Sequence, residues 1–240
     1  ADADGNEYAG IGEALEAGKS ELTLLAPVAP GEAVTIPSGR SVTLNLGRYT
    51  YGGGLINNGT LTLKAEEAGG VSGRIEGNGT LTVEGGVYTT DVSAYVGEDY
   101  VSVQDGGRYH VVFAAAEVNG VKYAGLKAAL TAAADGTEGR PVTVTMLRDR
   151  IREDELSDID GQYVVLDLNQ HTFCGLGAGS SGTKTAGIQL LQKAIITIKN
   201  GVLECNDRGN NYYAVNNHGT LILEDVTITF YCCEERPHIC

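Results

Sequence analysis

The sequence predicts an all-β chain wound into a parallel β-helix, a solenoid, with a short helix opening each half. Three observations predict it: a steady period in the strand-like runs, a shared corner motif before several of them, and an internal duplication. In the first half the runs begin at Leu22, Val42, Leu61 and Leu81, spaced 20, 19 and 20 residues apart. Such a period belongs to stacked rungs, each added at the usual strand spacing of about 4.8 Å. An antiparallel β-sandwich is the alternative. It predicts strands every 8–12 residues or so, which would accommodate intermediate runs such as Ala33-Val34-Thr35-Ile36.

The first element is helical. Ile11, Ala14 and Leu15 share one face, and a helix here covers the open end of a coil, where unpaired strand edges invite aggregation. The strands follow. In Val42-Thr43-Leu44-Asn45-Leu46 the aliphatic residues face one side and the polar ones the other, and Leu61-Thr62-Leu63 and Leu81-Thr82-Val83 repeat the alternation. Asn58-Gly59-Thr60, Asn78-Gly79-Thr80 and His218-Gly219-Thr220 form the recurring corner.

Near residue 116 the pattern restarts. Asp4-Gly5-Asn6-Glu7-Tyr8-Ala9-Gly10-Ile11 is echoed by Asn119-Gly120-Val121-Lys122-Tyr123-Ala124-Gly125-Leu126. Leu22-Thr23-Leu24-Leu25 then matches Val144-Thr145-Met146-Leu147, and Gly39 to Leu46 matches Gly161 to Leu168, in the same order. The expected units are therefore 1–115 and 116–240. A second helical face, Leu126, Ala129, Leu130 and Ala133, is either an end cover or a spacer between coils. The later runs begin at Val144, Val164, Ile195 and Leu221, spaced 20, 31 and 26 residues apart. The extra residues fall in 175–185 and 205–211, which read as loops projecting from the coil.

Composition agrees. The 34 glycines suit an architecture of many tight turns, and three Phe with no Trp argue against a large aromatic core. A net charge of −14 points away from nucleic acid and anionic membranes as partners. No apolar run reaches the length of a membrane span, so no membrane insertion is expected. The opening Ala-Asp-Ala-Asp fits either the start left by signal-peptide cleavage or an arbitrary boundary, and the sequence does not decide between them. All five cysteines, Cys174, Cys205, Cys232, Cys233 and Cys240, lie in the second half. They make no framework spanning the chain.

Several segments resemble repetitive, adhesin-like surface proteins of Gram-positive gut bacteria. They are Tyr123 to Leu130, Val144-Thr145-Met146-Leu147-Arg148-Asp149, Val165 to Thr172, and Gly85-Gly86-Val87-Tyr88 continuing to Val96. The resemblance covers most of the chain and concerns architecture rather than chemistry. It implies a pectate-lyase-type right-handed β-helix, a secreted or bacterial cell-surface location, and a binding role toward a polysaccharide or host glycan. The chain departs from it at Tyr231-Cys232-Cys233-Glu234-Glu235-Arg236-Pro237, where such proteins close with Gly-Gly-Tyr/Phe.

Because polysaccharide-cleaving enzymes use this fold, converging carboxylates are the feature to seek. Asp167 matches Asn45 across the duplication and reads as an outward, solvated residue. His171 matches Tyr49, and His218 occupies the corner of Asn58 and Asn78. Arg148, Arg150 and Arg152 are interleaved with Asp149, Glu153 and Asp154, which suggests surface ion pairs. Glu153, Asp154, Glu155, Asp158 and Asp160 offer oxygen ligands but lack calcium-loop spacing. Cys232, Cys233, His238 and Cys240 fit no common zinc spacing, and Cys174 and Cys205 are candidates to pair across neighbouring rungs. No catalytic, metal or cofactor residue is assigned. Tyr212 and Tyr213 beside Asn210 and Asn211 form the expected ligand patch, aromatic rings for sugar faces and amides for hydroxyls, with ordinary loop packing as the competing reading.

Overall fold

Alternation dictates the architecture observed in the computed structural model, which describes residues 1–31, 33–153, 156–159, 161–178, 186–206 and 213–231. The chain divides into two compact units, Ala1–Phe113 and Ala114–Cys240. Each is a β-solenoid, and together they make about eight turns.

In the first unit α1 (Ile11–Glu16) precedes a rung made of β1 (Glu21–Thr23) and β2 (Val34–Ile36). The next rungs each use three strands, β3 (Ser41–Gly47), β4 (Thr50–Tyr51) and β5 (Leu55–Asn57), then β6 (Thr60–Ala65), β7 (Gly70–Val71) and β8 (Ile75–Glu76). The last has β9 (Thr80–Glu84) and β10 (Gly86–Tyr88). Strands stack in parallel as β1-β3-β6-β9, β2-β5-β8 and β4-β7-β10. Parallel register over successive rungs excludes the antiparallel sandwich. The intermediate runs that fitted a sandwich are the second and third sides of each rung.

Register sorts the side chains. Leu22, Leu44, Leu63 and Val83 align rung upon rung and are buried, while Thr43, Thr62 and Thr82 align on the outer face. The outermost column is Asn45, Lys64 and Glu84, with Lys64 Nζ 3.2 Å from Glu84 Oε2. The coil ends on an antiparallel hairpin, β11 (Tyr100–Asp105) and β12 (Arg108–Phe113), whose second strand pairs with β10. At the other end α1 packs on β2 and buries Ile11, Ala14 and Leu15.

The second unit opens with the hairpin β13 (Ala116–Val118) and β14 (Val121–Tyr123), turning at Asn119 and Gly120, both with positive φ. Its helix, α2 (Leu126–Ala132), packs on β13, β14 and on β15 (Val142–Met146), so it serves as a cover for the first rung of its own unit. That rung continues through β16 (Arg150–Glu153) and β17 (Leu156–Ile159). The second rung is β18 (Tyr163–Asp167), β19 (Thr172–Gly175) and β20 (Ala186–Leu190). Above it come β21 (Ile195–Asn206) and β22 (Tyr213–Asn217), then β23 (Thr220–Tyr231). The duplication reaches the outer column, where Asp167, Lys199 and Glu224 repeat the order of Asn45, Lys64 and Glu84.

One expectation changes. Residues 205 and 206 belong to β21, which runs through a corner without leaving its ladder; only 207–211 of that expected loop remain, outside the described residues. Asn200 takes φ of 59° there and Asp225 takes 53° within β23 above it, as Gly47 does (52°) at the corner of β3. A single left-handed residue turns the strand, and Asn and Asp tolerate that conformation better than other side chains. Of 175–185, Gly175 closes β19, Ala178 bridges Ala186, and 179–185 lie outside the described residues.

The Asn/Gly/Thr corner is explained by close approach. Thr60, Thr80 and Thr220 N–H donate to the carbonyls of Arg40, Gly59 and Ala194, each at 2.8 Å. A Cβ on Gly59, Gly79 or Gly219 would overlap that same carbonyl oxygen. Asn57 completes the corner: its Oδ1 accepts from Gly59 N–H and its Nδ2 donates to Thr80 O in the rung above.

Two substitutions to alanine should therefore have opposite signs. Gly79→Ala is expected to destabilise the chain by about 1–3 kcal/mol through overlap with backbone. Gly12→Ala, inside α1 where a Cβ meets nothing, should stabilise it by roughly 0.5–1 kcal/mol. Leu63→Ala, fully buried, should cost about 2–5 kcal/mol. Urea unfolding monitored by circular dichroism checks all three.

Candidate functional site

The carboxylates that chemistry would need are committed to structure. Asp167 Oδ1 accepts from Asn169 N–H at 2.9 Å and Asn200 Nδ2 at 3.1 Å, and Lys199 Nζ lies 3.4 Å from Oδ2. Asn45 does the same corner work in the first unit, accepting from Gly47 N–H at 3.0 Å. Burial pushes the Asp167 carboxyl up, but the bonds from Asn169, Asn200 and Lys199 outweigh it and hold the pKa below the ordinary value. Asp149 accepts from Thr172 N–H at 2.8 Å and sits 3.2 Å from His171 Nδ1. Those two contacts, the Thr172 bond first, lower its pKa as well.

His218 is an exposed corner residue whose N–H donates to Leu190 O at 2.9 Å. Beside it Asn217 Oδ1 accepts from Gly219 N–H at 2.9 Å, as Asn57 does for Gly59. Arg148 is half-buried, whereas the side chains of Arg150, Arg152, Glu153, Asp154, Glu155, Asp158 and Asp160 lie outside the described residues. Cys232, Cys233, His238 and Cys240 also lie outside them. Cys174 and Cys205 are buried in the second unit. Among the described residues, no three His, Cys, Asp or Glu side chains group as metal ligands, and no helix is long and apolar enough to cross a membrane.

Of the expected ligand patch, Asn210, Asn211 and Tyr212 lie outside the described residues. Tyr213 opens β22, 58% exposed, and aligns with Ala186 of the rung below. It shares its side of the strand with Val215, which packs on the core. Tyr213 therefore stands at the start of a strand, in the rung below β23, and not on a projecting loop. The next strand, β23, exposes Leu223, Ile228 and Phe230, although their register partners Ile198, Leu203 and Cys205 in β21 are buried.

A groove of about 440 Å³ in the first unit was not foreseen from the sequence. It lies between α1 and the chain leaving β1, lined by Tyr8, Ile11, Leu24, Leu25, Val28 and Tyr51 among others. Two lining residues, Ala1 and Tyr8, adjoin Asp2, whose side chain is only 2% exposed. The Asp2 carboxylate accepts from Asn6 N–H (2.9 Å), Asn6 Nδ2 (2.9 Å), Asp4 N–H (3.0 Å) and Tyr8 Oη (3.0 Å), and pairs with Lys19 Nζ at 2.7 Å. The Asn6 and Lys19 bonds hold its pKa far below the usual carboxylate range, and the same pairing raises that of Lys19. One signal was present. The run Leu24-Leu25-Ala26-Pro27-Val28-Ala29-Pro30 carries no polar side chain, whereas its counterpart begins Met146-Leu147-Arg148-Asp149.

No protein-family model, curated protein or solved structure matches the chain. What is established is the β-solenoid.

The carboxylates give a pH prediction. Asp2, Asp91, Asp149 and Asp167 all have folded pKa values below the ordinary one. Their stabilisation is complete above the unfolded value of about 4 and is lost as pH falls through the folded values. Urea midpoints should stay level from about pH 7 to 5 and drop below about pH 4. Asp2→Asn should lower the midpoint at neutral pH and flatten that drop.

Proposed function

We propose that the chain is a non-catalytic, secreted or cell-surface β-solenoid module, adhesin-like, that binds a polysaccharide or host surface glycan. The observation that carries this reading is the use made of Asp167. The best-placed acidic residue holds a corner and an outer ladder with Asn200 and Lys199, and Asn45 substitutes for it in the other unit. A residue replaceable by an amide at its duplicate position is doing the work of a turn.

Support for glycan binding comes from Tyr213, an exposed ring on a rigid rung, able to stack on a sugar face. The aligned hydroxyls of Thr43, Thr62 and Thr82 add a regular polar surface on the first unit. A stiff scaffold presenting such groups binds without paying much ordering entropy. Resemblance to the adhesin-like surface proteins points the same way.

The test is incubation with plant, host and bacterial polysaccharides, with and without calcium. Retention on at least one of them without release of reducing ends is expected, and Tyr213→Ala should weaken that retention several-fold. Turnover of any polysaccharide would replace this reading with that of a lyase or hydrolase.

A further inference from the structure

Asparagine followed by glycine occurs four times, at Asn58-Gly59, Asn78-Gly79, Asn119-Gly120 and Asn200-Gly201. In such a pair the glycine backbone nitrogen can attack the asparagine side-chain carbonyl, because glycine has no Cβ to block the approach. The fold treats the four pairs unequally. Gly59 N–H donates to Asn57 Oδ1 at 3.1 Å and Gly79 N–H to Asn57 O at 2.8 Å, so both of those nitrogens are occupied. Asn200 Nδ2 donates to Asp167 Oδ1 at 3.1 Å, so there the side chain is held. Backbone oxygens of Arg40, Gly59 and His171 also crowd the Cβ positions of Gly59, Gly79 and Gly201 respectively.

Asn119-Gly120 is open on every count. Both residues are exposed, and a Cβ on Gly120 would meet nothing within 4 Å. They form the two-residue turn between β13 and β14, with φ of 50° and 81°. In such a hairpin the ladder bonds join the flanking residues, here Val118 and Val121, and make no use of the Gly120 N–H. Ring closure requires the turn to leave its left-handed conformation. The tip of a hairpin opens by itself at small cost, whereas the corners open only with the rungs they lock.

We propose that Asn119 is a site of spontaneous modification, converted chiefly to isoaspartate, and that this change loosens the cover over the first strand of the second unit. Gly120 N forms a bond to Asn119 Cγ, the Cγ–Nδ2 bond breaks, and ammonia leaves with the proton from Gly120 N–H. Water then opens the succinimide ring. Addition at Cγ gives aspartate, and addition at the main-chain carbonyl carbon gives isoaspartate, whose backbone runs through Cβ and Cγ. That route inserts an extra backbone carbon into the turn. Ala116 with Tyr123, Glu117 with Lys122 and Val118 with Val121 then lose the register that a two-residue turn sets. β13 is also the strand that covers β15, with Ala116 opposite Met146 and Leu147 N–H donating to Ala115 O at 2.9 Å. Loosening the hairpin therefore exposes a strand edge that is otherwise closed. None of this rests on the glycan reading.

The experiment ages the whole chain in warm, mildly alkaline buffer and follows it by tryptic digestion and mass spectrometry. Cleavage after Lys and Arg puts the four pairs on separate peptides, 49–64, 75–108, 109–122 and 200–208. Peptide 109–122 is expected to become one mass unit heavier about tenfold faster than the other three, or more. Most of its product should accept a methyl group from an isoaspartate-specific methyltransferase. In urea, where the fold no longer sorts them, the four pairs should react at similar rates. Similar rates in the folded chain overturn the proposal, and so does a lead for 109–122 that persists undiminished in urea. Hydrogen exchange over residues 114–118 should rise several-fold in the aged chain. It should not rise in Asn119→Gly, which keeps a turn suited to positive φ and removes the reacting amide. Exchange that stays unchanged in a chain whose 109–122 peptide is fully modified overturns the loosening of the cover.

Discussion

Everything in these coils rests on the close approach of one rung's corner to the next. The carbonyls of Arg40, Gly59 and Ala194 each accept from the threonine above, and the glycine beside that threonine has its Cβ position filled by the same oxygen. The strand spacing of about 4.8 Å leaves no alternative at that point. Once the corners are locked, parallel register follows, and with it the sorting of Leu and Val inward and Thr outward. The hydrophobic columns then supply the favourable free energy, because each rung buries its aliphatic residues against those of its neighbours.

The outer columns show how much chemistry the corners absorb. Asn45, Lys64 and Glu84 in one unit and Asp167, Lys199 and Glu224 in the other place an acceptor, a cation and an anion on consecutive rungs. Exposed pairs of this type contribute little energy individually. Their effect is on register: a slipped rung would set like charges together or leave a corner acceptor without its donor. Among the described residues, Asp167 and Asn45 serve this purpose.

The rungs were legible because their signal repeats. Leu-Thr-Leu alternation and Asn-Gly-Thr corners recur at a fixed interval, so each instance reinforces the others. The ends were less legible because each occurs once. The hairpin at Asn119-Gly120 has a strong turn signal of its own, yet its similarity to Asp4-Gly5 drew attention to the duplication instead. The corner within β21 was hidden because left-handed Asn200 turns the chain without breaking its parallel ladder to β23. The groove was harder still. It involves Leu24–Pro30 being apolar where the second unit is charged, and a lining residue, Tyr8, bonded to Asp2, whose partners come from four positions in the sequence. Of the expected ligand patch only Tyr213 falls among the described residues, and its side of β22 could be fixed only by its register with Ala186.

The two hairpins also bear on the order in which the chain folds. Joining successive rungs closes a loop of about 20 residues in the first unit and of 20, 31 and 26 in the second, an entropic cost that comes before the contacts that offset it. β11–β12 and β13–β14 need only short turns, at Gly106–Gly107 and Asn119–Gly120, and hairpins form within about 1–10 μs. They are therefore the earliest templates available. From them the first unit grows back toward its amino end and the second grows forward, each new rung reading its register from an edge already in place.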